Sequence, residues 1–115
     1  MADHFVHPVT DVALTEDDKL MAALAHGLVF FAPGVGPLVL LVIYHERSAF
    51  VRYHCSQALL AQLGGAALIG LISVLTCGLG AALSPVLLVL EAWFAFMAYS
   101  GKWAGYPGFD GLGRP

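Results

Sequence analysis

The chain has 115 residues, of which 59% are hydrophobic and only 11% charged, with a formal net charge of −3. A soluble domain carries about 25% charged residues, so the composition points to a single membrane-embedded domain with no room for a separate soluble module. No basic tract occurs, which argues against nucleic acid as a partner.

Residues 1–14 show no sustained period and contain Pro8, so they read as a flexible tail. His4 and His7 have a metal-like spacing, but a structural zinc site takes about four ligands, and solvated histidines are expected there. There is no basic n-region and no small-residue cleavage site. The first apolar segment is therefore expected to act as its own insertion signal.

Thr15 and Asp18 are spaced for a reciprocal capping box, and Glu16 and Asp17 fall at the positive end of the helix dipole. A helix starts here and opens the membrane domain, expected over 15–104. From Leu20 to His45 there is no Asp, Glu, Lys or Arg. Such a stretch is long enough to cross a bilayer once. Its middle, however, is Pro33, Gly34, Gly36 and Pro37, which do not continue a regular helix. Two outcomes follow: one kinked span, or a hairpin of a longer helix (about 16–32) and a shorter one (about 37–46). Turn chemistry favours the hairpin; the acidic N-terminal stretch favours a single crossing. His26 lies in the first half beside Gly27, and a hydrogen bond across a close helix contact is its expected role.

The polar stretch from His45 to Gln62 is the main interfacial loop, running directly into a helix. Arg47, Arg52 and Tyr53 are its expected anchors at the headgroups. The second long segment, Tyr53 to about Thr76, carries His54, Gln57 and Gln62 as buried polar candidates. Ala61, Gly64, Gly65, Ala66 and Gly70 give it small-residue spacing, which permits close approach of another helix from this chain or another. Cys55 and Cys77 would stand at opposite ends of that helix, too far apart for a disulfide.

Thr76 to Gly80 reads as an uncharged turn, and Ser84-Pro85 opens the last helix, which ends near Tyr99 with Gly101 as its stop. Glu91 falls midway along it, where a carboxylate costs roughly 3 kcal/mol. It is expected to be protonated and hydrogen-bonded inside the chain to a partner such as His26 or a glutamine, to face a partner subunit, or to line a proton path. Lys102 and Trp103 extend an aromatic belt at the headgroups, and 105–115 reads as a surface-lying tail. Counting Lys and Arg places the central loop and the C-terminus on the cytoplasmic side. The fold expected is therefore an all-α integral membrane protein: a small helical bundle of two long transmembrane helices plus a Pro/Gly-broken first segment.

Several blocks carry a resemblance. Leu24-Ala25-His26, Gly36-Pro37-Leu38, Ser48 to His54, Gln57-Ala58-Leu59, Tyr99 to Trp103 and Tyr106-Pro107 together resemble a group of small bacterial membrane proteins of unassigned function. That group is distantly similar to the Tic channel-type subunit of the chloroplast inner-envelope import translocon. The resemblance covers about residues 18–108 and implies a four-helix membrane fold with a short first hairpin, but no activity. Relatives commonly carry Asn shortly after the Gln-Ala pair; Leu60 and Ala61 stand in that neighbourhood here, which makes this helix drier.

Small size and the lack of a complete catalytic set indicate a non-enzymatic accessory or assembly subunit of a larger inner-membrane complex. Its partners would be the lipid bilayer and other membrane subunits, or further copies of itself. The alternative is an oligomeric translocation or channel-type component, since so few short helices enclose no pore alone. Haem held by His26 and His54 is conceivable, but the two fall at different depths, so no cofactor and no metal are expected.

Overall fold

The computed structural model describes residues 6–7, 14–106 and 109. Thr15 caps α1 (Glu16–Gly27) through the reciprocal box with Asp18. A 3-10 turn, Leu28–Phe30, follows, and Gly34 at φ 82° reverses the chain before α2 (Val35–Tyr44). A left-handed conformation there suits glycine. At the open end of the pair the Tyr44 hydroxyl donates to Asp17 at 3.2 Å, so α1 and α2 run antiparallel. The Pro/Gly segment is thus a hairpin, and α2, with 10 residues, is too short to cross a bilayer.

His45–Arg47 make a tight turn, and Ser48 caps α3 (Ala49–Leu59) by accepting from the Val51 N–H at 3.2 Å. The polar stretch read as a loop is therefore mostly helix. After α3 a π-helical turn, Leu60–Gly64, leads without a break into α4 (Gly65–Leu75). Ala49–Leu75 is one helix of 27 residues, about 40 Å at 1.5 Å per residue. The return is tight: Gly78 has φ 96°, and a Cβ on Gly80 would lie 2.5 Å from the Ser73 nitrogen. Leu79–Leu83 is 3-10, and α5 (Ser84–Tyr99) carries Pro85 in its first turn, as expected. Gly101, at φ 82°, stops it. A short ladder pairs β1 (Val6–His7) with β2 (Trp103–Ala104), antiparallel. The rest of the expected N-terminal tail lies outside the described residues.

Helix α1 lies between α3 and α5, and α2 covers another side of α3. Ala22 and His26 on α1 meet Glu91, Phe94 and Ala98 on α5, all buried, while Ala25 packs with Leu40, Val51 and Cys55; the i, i+3, i+7 spacing puts the α5 set on one face. This packing stops at the hairpin tip. Beyond it α4 has no buried residue, and Leu71, Val74, Leu79 and Val89 are exposed at 58%, 80%, 78% and 67%. The molecule measures 48 × 31 × 19 Å, a four-helix half and a two-helix half end to end. Every charged side chain among the described residues except Glu91 belongs to the far end of the packed half, where Asp17 meets Tyr44 and Arg52 donates to the His45 carbonyl at 3.1 Å.

Candidate functional site

The buried polar candidates come together at the heart of the packed half. His26, His54, Gln57, Gln62 and Glu91 are each 0% exposed, and four of them form one row. His26 Nδ1 lies 3.3 and 3.2 Å from the two Glu91 oxygens, and its Nε2 lies 3.0 Å from His54 Nδ1. His54 Nε2 lies 2.8 Å from the Lys102 carbonyl. Gln62 Nε2 donates to Glu91 Oε2 at 2.7 Å and to the Ala25 carbonyl at 2.9 Å. Its Oε1 accepts from the Gly34 N–H at 2.8 Å. The Tyr106 hydroxyl donates to Glu91 Oε1.

Local structure explains how each group arrives. His26 stands in the last turn of α1, on the face that also buries Ala22. In an unbroken α-helix Gln62 would stand about 80° around the axis from His54. The π-helical turn adds about one residue to that circuit, swinging Gln62 toward the face that carries His54 and Gln57. Gln62 then braces the hairpin tip from below, one amide serving two elements. Phe94 stacks on His26 at 5.6 Å between centroids and on Tyr106 at 4.1 Å. Phe50 and Tyr53 meet His54 edge-on at 4.7 and 5.3 Å. This shell excludes water.

The tautomers follow from one fixed end. A carbonyl only accepts, so His54 must carry its proton on Nε2 and present Nδ1 as acceptor. His26 therefore donates from Nε2. The remaining contact, His26 Nδ1 to Glu91, needs one shared proton. Glu91 already receives the Tyr106 hydroxyl and the Gln62 amide, one on each oxygen, so the proton shared with His26 Nδ1 completes the set around its carboxyl group. The pair carries no net charge, and among the described residues no buried side-chain nitrogen or oxygen lacks a partner. Burial, and then the Glu91 carboxylate, push the Tyr106 hydroxyl above its ordinary value of 10.0, so it stays a donor.

Two expectations change here. Glu91 does not face a partner subunit, being fully enclosed by its own chain. As a relay the row is blocked, because the Lys102 carbonyl at its end cannot pass a proton on. The four imidazole nitrogens are all engaged, and no group of three or more His, Cys, Asp or Glu among the described residues could hold a metal ion.

Other candidates scatter. Arg47 and Lys102 are exposed and Arg52 half-buried at the charged end. Tyr53 and Trp103, expected at the headgroups, are instead 0% and 2% exposed and pack together with Phe50. Of the small residues, Ala61 is buried and a Cβ on Gly65 would touch Leu87 at 3.1 Å. Gly64, Ala66 and Gly70 are exposed, and a Cβ on either glycine would meet nothing within 4 Å. Cys55 is buried and Cys77 exposed, both free. Tyr106, expected on a surface-lying tail, folds back into the site; its sequence signal was a polar aromatic five residues after the Gly101 stop.

Two long apolar helices, a hairpin too short to cross and a self-satisfied polar row define a small helical membrane protein. Residues 17–109 match the magnetosome magnetite crystal formation protein family, MamF/MmsF, and the chain belongs to it. The family match says nothing of the Tic likeness. No curated protein and no solved structure matches the chain.

Proposed function

We propose that the chain is a non-enzymatic accessory subunit of the magnetosome membrane or the inner membrane, contributing to magnetite crystal formation by assembling with other membrane proteins. The observation that carries this reading is the bare half: two apolar helices beyond the hairpin, with no buried residue on α4 and with Gly64 and Gly70 open on their outer side. Without a hydrophobic drive in lipid, such surfaces associate through close backbone contact. The polar row serves as the structural core that holds the packed half together.

The charged end, with Arg47, Arg52 and Lys102, faces the cytoplasm in this reading. The Thr76–Gly80 turn then faces the opposite side, and it offers no carboxylate or imidazole to iron. A role in crystal growth is accordingly indirect, through the proteins this subunit gathers.

The test is the mass and composition of the complex released from native membranes in mild detergent, for the natural chain and for Gly64→Leu with Gly70→Leu. A Cβ at either position meets nothing within 4 Å. A stoichiometric larger partner that the double variant loses supports the reading. A homo-oligomer alone transfers the weight to a channel-type component, and a monomer in both cases rejects assembly.

A further inference from the structure

The α1–α2 hairpin is one leaflet deep. The uncharged run from Leu20 to His45 folds back at Gly34. Helix α2, with 10 residues, is about 15 Å long, half of the roughly 30 Å hydrocarbon thickness. The long helix fixes the depth of the tip: Gln62, which holds the Gly34 N–H, is the middle residue of Ala49–Leu75. A spanning helix centred on the bilayer therefore carries the tip at the midplane. The tip is apolar and turned outward, with Phe30 and Val35 exposed and Phe31 85% exposed. Leu38, Val39, Val42 and Ile43 make the outer side of α2 equally apolar. The hairpin is also closed tightly. A Cβ on Gly36 would lie 2.6 Å from Leu28, and one on Gly34 would lie 2.5 Å from Leu63. Ala25 and Leu40 bury against Val51, Cys55 and Ala58, so hairpin and α3 pack as one body.

We propose that the chain is a membrane-bending wedge: four helices fill the leaflet of the charged end, two fill the other, and the bilayer curves convex toward the charged end. A helix with its side chains is about 10–12 Å across, so the hairpin adds on the order of 200 Å² to one leaflet alone. Lipids cross between leaflets slowly. Unequal inserted area is therefore relieved by curvature, which is why helices seated in one leaflet are curvature-sensitive. The charged side chains hold the broad end at the headgroups, and no charge at the tip draws it toward either surface. The tight packing keeps the taper from being lost by splaying. Naming the fuller leaflet cytoplasmic rests on the orientation given above; the wedge does not, and its test reads orientation directly in a membrane that holds this chain and lipid only.

The experiment uses the full chain with a dye on the exposed Cys77 thiol, in giant vesicles of phosphatidylcholine and phosphatidylglycerol. A narrow tube is drawn outward, and an impermeant quencher is added outside. Cys77 lies at the end opposite the charges, so the surviving signal comes from chains whose charged end faces out. These chains should be enriched in the tube over the flat membrane, by a ratio that climbs above one as the tube narrows. Chains of the opposite orientation, obtained by difference, should fall below one. Equal ratios for both orientations, or the reverse sign, overturn the proposal. A second measurement checks depth in the same full chain, labelled with ¹⁵N in nanodiscs. Dissolved oxygen is most concentrated at the bilayer centre, so it should relax the Phe31 amide as strongly as that of Leu63 and more strongly than that of Tyr44. Equal relaxation at Phe31 and Tyr44 would put the tip at a surface and also overturn the proposal.

Discussion

The two halves of this molecule solve the membrane problem in opposite ways. The packed half buries His26, His54, Gln57, Gln62 and Glu91 completely and satisfies them from within. The bare half buries nothing on α4 and presents leucine, valine and glycine outward. Lipid has no water to pair a polar group, so the first half must be self-sufficient; apolar helices already have their backbone bonds, so the second need not be. Polar chemistry sits where the chain packs upon itself, and association is left to the half where it does not.

The largest effect is expected from breaking the row. His26→Ala leaves Glu91 and His54 Nδ1 each short of a buried hydrogen-bond partner, at about 1–3 kcal/mol for each group; reversible unfolding in mixed micelles measures it. Loss of only a few tenths of a kcal/mol would mean that the row is hydrated and the packed half is not sealed.

Next comes Gln62→Leu, which strips an acceptor from the Gly34 N–H and a donor from Glu91. A destabilisation of about 1–3 kcal/mol is expected, with faster exchange of the Gly34 amide as the local readout.

Alkaline titration gives a smaller and directional effect. Tyr106 holds its proton above the ordinary value of 10.0 in the folded chain. The unfolded chain therefore loses that proton first, and stability declines as pH rises past that point. The decline reaches about 1.4 kcal/mol per pH unit for one proton. Below that value the contribution is fully present. Subtracting the profile of Tyr106→Phe should isolate this slope; identical profiles would place Tyr106 outside the site.

Smallest is the response of the bare half. Gly70→Ala meets no atom within 4 Å and removes a flexible helix residue, so the isolated chain should be unchanged or gain up to about 1 kcal/mol. A marked loss would reveal a neighbour on that face even in the isolated chain.

Much of the local structure was legible because rules of a few residues' reach govern it. The Thr15–Asp18 box, the glycine at the Gly34 reversal, Pro85 in the first turn and the stop at Gly101 each act within a few residues. The polar candidates were visible because polar side chains in apolar runs are few. What joined them was not visible. The π-helical turn that redirects Gln62 has no marker in Leu60–Gly64, and Tyr106 reaches Glu91 only through the fold of a segment that reads as tail. Tyr53 and Trp103 were misplaced because an aromatic next to a cation reads as a headgroup anchor, while here each packs inward. Exposed and buried glycines in one stripe look alike, which is why Gly65 and Gly64 were not separated.

The division itself is open to one direct measurement: relaxation of backbone signals by a lipid-soluble paramagnetic reagent along Ala49–Leu75, with one chain per nanodisc. Residues before Gln62 should be shielded on the face that meets α1, and those beyond it relaxed on nearly every face. An even pattern along the whole helix would contradict the two-half account.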